Sequence, residues 1–442
     1  MREMKDSGIE WIDEIPLDWT AKPLKWMVKF GKGLPITKDN LIEQGVPVVS
    51  YGQIHSKINN GTHLKDDLIR FVSERYLESN PLSLGKKGDI FFADTSEDYA
   101  GIGNAVLVDI DTPVFAGYHT VIVRPDDQSY SRYLAYLFLT DAWRSQLCSR
   151  ASGIKVFSIT QGLLKKTTVI LPPAEKAVAM TDYLDRKCSQ IDAIIDRQQE
   201  VIEKLKAYKL SVITEAVTKG LNPVVPMKDS GIDFIGSIPE AWRICRLRNI
   251  GTLQNGISKG GEFFGHGFPF VSYGDVYRNF SLPVQVAGLI DSSDEERRNY
   301  SVESGDIFFT RTSETIEEVG FSSVCEETIP DATFAGFLIR VRPFTDDLVP
   351  KFAKYYFRSN HHRYYLVKQM NLVTRASLGQ DLLKSMPVLV PPKDEQISIA
   401  AYLDKKCGAI ESSIEYKQRV IERLTAYKKS LIYEVVTGKK EV

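Results

Sequence analysis

Paired cysteines are missing from this sequence. Its five cysteines, Cys148, Cys188, Cys245, Cys325 and Cys407, stand singly with no Cys-x-x-Cys, which excludes a zinc ribbon and a disulfide scaffold. An excess of charge is missing too: 56 Lys and Arg against 57 Asp and Glu leave a formal charge of -1, so an indiscriminate polybasic coat for nucleic acid is excluded, while local basic patches are not. No run approaches the ~18 apolar residues of a membrane span, and the charged start MREMKDSGIEWIDEIP has no apolar stretch of a secretion signal. The expected compartment is the reducing cytoplasm. The phosphate-cradling Gly-x4-Gly-Lys-Ser/Thr is absent, as is any metal-ligand spacing among the six histidines. Ala100-Gly-Ile-Gly-Asn-Ala lacks the third glycine of a dinucleotide loop and reads as a turn. No Asn-Pro-Pro-aromatic motif is present to grip an extruded base. The triplets Asp185–Lys187 and Asp404–Lys406 have no acidic partner motif and read as solvated helix. A chain with 43% hydrophobic and 26% charged residues is nonetheless globular in composition. Catalysis and a metal centre are not expected.

What is present is written twice. Met4-Lys-Asp-Ser-Gly-Ile9 recurs as Met227-Lys-Asp-Ser-Gly-Ile232, each leading through Ile-Pro to Trp19 or Trp242. Val49-Ser-Tyr-Gly52 returns at Val271–Gly274, Gly88-Asp-Ile-Phe-Phe92 at Gly305–Phe309, Phe115-Ala-Gly117 at Phe334–Gly336 and Tyr183-Leu-Asp185 at Tyr402–Asp404. From Val201 to Gly220 and Val420 to Lys439, 12 of 20 positions are identical. The offset runs 223, 222, 217 and then 219 from Phe-Ala-Gly to the end. A shared frame with inserts of different length and composition predicts two related sites that read different things.

Each half mixes short β-like runs (Pro47–Tyr51, Asp89–Ala93, His119–Val123) with turns, followed by a helical stretch around Tyr130–Arg150 or Lys351–Asn371 and a β-like run stopped by Pro172-Pro173 or Pro391-Pro392. From Ala174 to Lys219 there is neither Pro nor Gly. Apolar residues there fall at 4,3 spacing: Ile191, Ile195, Ile202, Leu205 and Val212, matched by Ile410, Ile414, Ile421, Leu424 and Leu431, with Gln198, Lys209, Lys417 and Lys428 in the same stripes. Ile194, Val201, Tyr208, Val420 and Tyr427 widen the stripe, and Gly408 predicts a break before the second long helix. The expected fold is α+β: two similar mixed α/β domains, each followed by a long helix, the two helices pairing as an antiparallel coiled coil with an internal pseudo-two-fold duplication. The expected boundaries are 1–171 and 221–390 for the domains, with helical spacers at 172–220 and 391–442. Ser189–Val217 as helix spans about 43 Å, enough to hold two half-sites about one DNA turn (~34–36 Å) apart.

The doubled MKDSGIxxIxxIPxxW, Gly-Asp-Ile-Phe-Phe, the passage from Pro391-Pro through Asp394-Glu-Gln-Ile-Ser-Ile-Ala-Ala-Tyr-Leu-Asp into a helix ending Val-Val-Thr, and the junction Thr218-Lys-Gly-Leu-Asn-Pro resemble the specificity (S) subunit of Type I restriction–modification systems over essentially the whole chain. The first copy departs from that pattern at Ala174-Glu-Lys-Ala-Val-Ala-Met. The resemblance implies a non-catalytic subunit with two target recognition domains, each reading one half of a bipartite double-stranded DNA sequence. It implies helical spacers that dock two modification (methyltransferase) subunits, joined by restriction (translocase/endonuclease) subunits. No cofactor is expected on this chain; S-adenosylmethionine, ATP and Mg2+ belong to the partners, and no membrane is involved. The rival is a self-contained methyltransferase or nuclease with unrecognised catalytic residues, which turnover by the isolated chain would reveal.

Base reading needs donors and acceptors on groove-facing loops, with basic residues on phosphates. The candidates are Lys57, Asn59, Asn60 and Arg70 after the first Ser-Tyr-Gly, and Arg278 and Asn279 after the second. To these are added Thr95 and Ser96 with Arg311, Thr312 and Ser313 after Gly-Asp-Ile-Phe-Phe, and Arg150, Lys155 and Arg375 before the double prolines. Arg311 can grip a guanine where its counterpart Asp94 cannot. Tyr51 and Tyr273 are expected to be scaffold.

Overall fold

The computed structural model describes residues 3–151, 156–313, 319–369 and 376–442, with the backbone alone at Ser313, Gln369, Ala376 and Ser377. Contacts divide the chain into two compact units, Met1–Gln198 with Arg419–Val442, and Gln199–Gln418. Each long helix therefore contributes one segment to each unit.

Both units begin with the same hairpin. Met4–Asp6 pairs antiparallel with Glu14–Pro16, and Met227–Asp229 with Ser237–Pro239. The Asp6 carboxylate accepts from the Gly8 N–H at 2.9 Å and the Ser7 hydroxyl from the Ile9 N–H at 3.0 Å; Asp229 and Ser230 repeat this at 3.0 and 3.2 Å. Gly8 and Gly231 sit at φ +68° and +69°, where a β-carbon is strained. The repeated Lys-Asp-Ser-Gly-Ile is thus a side-chain-fastened turn.

In the first unit the strands β1 (Val28–Lys32), β2 (Val46–Val49), β3 (Arg70–Val72), β4 (Leu84–Gly85), β5 (Ile90–Ala93), β6 (Ala105–Leu107), β7 (Val114–Ala116) and β8 (Thr120–Pro125) form two sheets. One is antiparallel in the order β6-β5-β8-β1; the other runs β3-β2-β7-β4 with β2 and β7 parallel. All four residues of β5 are buried because the strand is covered on both faces. Ile90 and Phe92 join the core that holds Trp19, Trp143 and the helices α1 (Ser131–Phe138) and α2 (Asp141–Cys148), while Phe91 and Ala93 join the core of the second sheet. The strand β9 (Thr168–Leu171) pairs with Thr20–Pro23 and ends at the double proline, where α3 (Ala174–Lys219) begins.

The second unit repeats the plan with β10 (Gly251–Asn255), β11 (Phe264–Val271), β12 (Leu289–Ile290), β13 (Ile307–Thr310), β14 (Ser322–Val324), β15 (Thr333–Phe334) and β16 (Leu338–Pro343). The antiparallel sheet is ordered β10-β16-β13-β14, and the second sheet β12-β11-β15 among the described residues. Helices α4 (Pro350–Tyr356) and α5 (Asn360–Gln369) precede β17 (Pro387–Val390) and α6 (Lys393–Val436). Gly-Asp-Ile-Phe-Phe is framework in both: the buried Asp89 carboxylate accepts from the Arg124 Nε and Nη2 at 2.8 and 2.6 Å, and Asp306 from the Arg342 Nε and Nη2 at 2.7 and 2.6 Å.

The two long helices pair antiparallel in each unit. In the first, Leu184, Cys188 and Ile191 share a core with Leu431, Ile432 and Val435, flanked by Ile195 and Leu424. Lys428 Nζ donates there to both oxygens of Asp192, at 2.7 and 2.6 Å. In the second, Val212, Ala216 and Val217 share a core with Leu403 and Cys407, and Lys209 donates to Glu411. Ile202 and Ile410 are buried, and Leu205, Ile414 and Ile421 half-buried, so the 4,3 stripe is the seam.

Three expectations are corrected. The helix α6 runs unbroken through Gly408: its length and seam contacts outweigh the roughly 1 kcal/mol that glycine costs a helix. The widened flank of the stripe is not buried; Ile194, Tyr208 and Tyr427 are exposed, because a two-helix seam covers little beyond its central positions. The helical stretch Tyr130–Arg150 is two helices, since the Thr140 hydroxyl accepts from the Trp143 N–H and starts a new one. Its counterpart is likewise split into α4 and α5, and Asn371 lies outside the described residues.

Candidate nucleic-acid interface

At one end of each unit three turns converge: the short helix after Ser-Tyr-Gly, the turn after Gly-Asp-Ile-Phe-Phe and the turn after Phe-Ala-Gly. They leave the C-terminal ends of β2, β5 and β7, or of β11, β13 and β15. Val-Ser-Tyr-Gly is not a strand throughout, because its serine begins the helix Tyr51–Ile54 or Tyr273–Arg278. The Ser50 N–H donates to the Gln53 side chain at 3.1 Å and the Ser272 N–H to Asp275 at 2.8 Å. A β-carbon on Gly117 would meet the Ser50 hydroxyl at 2.0 Å, so only glycine allows these turns to close together. The Asp94 N–H donates to the His119 carbonyl at 3.0 Å, and the Arg311 N–H to the Phe337 carbonyl at 2.9 Å, placing Asp94 and Arg311 equivalently.

In the first unit these turns surround a hollow of about 700 Å³ lined by Tyr51, His55, Lys57, Thr95, Ser96 and His119, among others. His119 is the least expected of them. Its backbone is left-handed, φ +55°, and its ring lies 3.2 Å from the Asp94 carboxylate and edge-on to Tyr51 at 5.4 Å. Strand register exposes the reason. β5 pairs Val121 with Phe92, and β13 pairs Ile339 with Phe309, so the offset drops to 218 across β8 and β16. The constant 219 expected after Phe-Ala-Gly is therefore corrected: β7 and β15 already sit at an offset of 218, Ala116 pairing with Val49 as Phe334 does with Val271, so the two Phe-Ala-Gly motifs are one residue out of register and His119 stands where the second copy has Phe337. The signal was in the sequence, as Phe115 to Pro125 is one residue longer than Phe334 to Pro343.

Beneath the turns the copies exchange one pair for another. The His55 Nε2 lies 2.8 Å from the Thr95 carbonyl and its Nδ1 3.1 Å from the Asn104 amide. The equivalents are Tyr277, stacked on Tyr273 at 5.9 Å, and Phe321, 5.0 Å from Tyr277. The second unit braces this aromatic group with Arg358, whose guanidinium donates to the carbonyls of Val276, Tyr277, Asn279 and Ser322 at 2.5–3.0 Å. Burial, aided by Arg363, pushes the Arg358 guanidinium down to about 10.

Of the sequence candidates, Lys57, Thr95 and Ser96 come together at the hollow, and Arg311 and Thr312 lie in the matching turn. Several side chains are engaged by the protein itself. Asn59 donates to the Ile54 and Ala105 carbonyls and accepts from the Gly61 N–H, Asn60 accepts from Thr62 and His63, Ser96 donates to the Asp98 carbonyl, and Asn279 to the Asp275 carbonyl. These four fasten their own loops, as short polar side chains in turns bond the nearby backbone. Arg70 donates to the Asp67 and Ile69 carbonyls and Arg150 to that of Gln146; both are exposed and away from the hollow's lining. Arg278 is exposed at the end of its helix. Lys155, Arg375 and the Ser313 side chain lie outside the described residues.

The motif Tyr-Leu-Asp fastens helix to domain: Asp185 accepts from the Tyr136 hydroxyl at 2.6 Å, and Asp404 from Tyr355 at 2.8 Å. These carboxylates are half-exposed anchors of the long helices. The departure at Ala174–Met180 is also structural, since Gln396, buried, donates to the Asp347 and Pro391 carbonyls and accepts from the Val349 N–H, where the first copy has the buried Ala177. His362 is a core residue, buried against Tyr356.

Two α+β units on one frame, each presenting a variable loop cluster and each carrying a segment of two antiparallel helices, define a class of duplicated reader. The chain belongs to the family described as Type I restriction modification DNA specificity domain, whose model matches residues 16–204 and again 239–423. It is similar to the Type I restriction enzyme EcoKI specificity subunit of Escherichia coli K12, 21% identical over 96% of this chain and 90% of that protein. It is also similar to the StySPI specificity subunit of Salmonella potsdam, 18% identical over 96% and 90%. Among solved structures it shares its fold with a chain from work on complex assembly and conformational transition of the type I R-M system, at TM-score 0.69 and 17% identity, covering 96% of this chain and 98% of that one. No helix among the described residues is long and apolar enough to cross a membrane.

Proposed function

We propose that this chain is the DNA-recognition subunit of a Type I restriction–modification complex, non-catalytic itself. Each unit reads one half of a bipartite double-stranded target with its loop cluster, and the helices dock modification subunits that bring S-adenosylmethionine. Restriction subunits, with ATP and Mg2+, complete the assembly. The observation that carries this reading is the pair of loop clusters: one backbone frame, with Asp94, His119, His55 and Asn104 in one copy where the other has Arg311, Phe337, Tyr277 and Phe321. A duplicated catalytic site would keep its reacting side chains; here the backbone frame is kept, and the presented groups and the pairs beneath them differ.

Exposed apolar side chains on the helices supply a surface for partners. Tyr208 and Tyr402, 49% and 41% exposed, line a groove of about 630 Å³ with Met227 in the second unit, where a free protein surface has little reason to display tyrosines. The test is a footprint of the chain, reconstituted with its modification subunits, on DNA. Two protected blocks separated by unprotected base pairs support the reading; one continuous block, or methylation or cleavage by the isolated chain, contradicts it.

A further inference from the structure

Resting on that reading, we propose that the two loop clusters read bases of opposite hydrogen-bonding character: Asp94, oriented by His119, accepts from the exocyclic amino group of a cytosine in one half of the target, and Arg311 donates to a guanine in the other. The equivalence of the positions comes from the backbone, not from alignment alone. Asp94 and Arg311 each follow the Gly-Asp-Ile-Phe-Phe strand and each hang their N–H on the turn after Phe-Ala-Gly. Whatever one of them presents to a ligand, the other presents at the same place on its own unit.

The chemistry presented is opposite. A carboxylate only accepts. Asp94 faces the His119 Nδ1 at 3.2 Å, and an imidazole that donates its Nδ1–H orients the carboxylate that accepts it. The cluster therefore offers acceptors, held by one contact into a fixed pair. His119 is 57% and Asp94 34% exposed, so the pair is fixed yet accessible. The left-handed backbone of His119, unfavourable for a residue with a β-carbon, is kept at a turn where its counterpart Phe337 does without it. Strain retained at an exposed position in one copy alone marks a side chain that acts on something outside the fold. Tyr51 holds the ring from one side, while Tyr118 packs on Tyr51 in turn. Arg311 has only donors. In the major groove cytosine displays an amino donor, which Asp and Glu accept from, and guanine displays two acceptors, which Arg spans.

The pair below each turn follows the same division. His55 and Asn104 form a polar support under the acceptor cluster, and Tyr277 and Phe321 an apolar one beside Arg311. Supports and presented groups change together, as expected when each cluster is built for one base.

The test is binding of the complex with its modification subunits to duplexes in which every base pair of the bipartite site is varied in turn, at one salt concentration. The wild type is compared with Asp94→Asn, His119→Asn and Arg311→Gln. Asparagine tolerates the left-handed backbone, so His119→Asn leaves the turn intact and decides the matter if Asp94→Asn fails to fold. Both are expected to reduce the preference for cytosine at one position of one half-site by roughly tenfold, leaving the other half unchanged. Arg311→Gln is expected to move a guanine preference in the opposite half toward adenine, which glutamine spans. Unaltered base preference in His119→Asn and Arg311→Gln, or changes scattered over both halves, overturns the inference. A wild-type complex that recognises no bipartite site overturns the functional reading instead.

Discussion

Lys428 holds Asp192 from the opposite helix with both carboxylate oxygens within 2.7 Å, and in the other unit Lys209 holds Glu411 by one. Lys209 and Lys428 are the same position of the repeat, as are Asp192 and Glu411. Each lysine of one copy thus pairs with the acid of the other, the reciprocity that a two-fold relation imposes on an interface. The lysine interrupts an apolar stripe because it has this partner, and its aliphatic stem still covers the seam.

Removing that partner is expected to cost little but measurably. Lys428 is 22% and Asp192 41% exposed, so Lys428→Met should lower stability to urea unfolding by about 1 kcal/mol. Combining Lys428→Glu with Asp192→Lys should recover most of what either charge reversal loses alone. Equal and additive losses would show the pair to be incidental.

A larger loss is expected at Arg124. Asp89 is fully buried and its carboxylate is gripped by the two-pronged guanidinium, so Arg124→Met strands that carboxylate without its partner. The expected loss is about 3 kcal/mol, seen as faster hydrogen exchange across β5 and β8. The exposed pair Lys87 with Asp111 is the control, and Lys87→Met should change stability by less than ~0.5 kcal/mol.

Acid should weaken the second unit through His362. Burial, reinforced by His361, pushes this imidazole down to about 3. The unfolded chain binds a proton below the ordinary value near 6.5, whereas the folded chain does not until far lower. Stability from this group is therefore complete above pH 6.5 and is lost as pH falls toward 3, at about 1.4 kcal/mol per pH unit. Urea midpoints measured from pH 7 to pH 5 should fall, and less steeply in His362→Phe. An equal slope in both proteins would assign the loss to other groups.

The frame was legible because it is redundant: hairpin, buried Asp–Arg pair, Phe-Phe strand and helix anchors each occur twice, and a motif that recurs at a steady offset stands out from its surroundings. The helix seam was legible for a different reason, since 4,3 spacing has few other solutions. The reading surface was not. Asn59, Asn60, Ser96 and Asn279 have the composition of base readers, but composition does not reveal whether a side chain bonds its own turn. His119 was passed over because repeats were matched motif by motif, and a one-residue slip of Phe-Ala-Gly against the strand register changes no motif. Arg358 was missed because its four carbonyl partners are 36 to 82 residues away. Tyr208 and Tyr427 were placed on a widened stripe because periodicity locates a stripe without its width.

The most direct test of twin readers is an exchange. Residues 1–171 are replaced by the corresponding domain of a relative with a different target, and methylated sites are sequenced in cells that carry the partner subunits. The account predicts that one half of the methylated sequence changes to the relative's half while the other half and its adenine stay as they were. A change in both halves, or in neither, contradicts it.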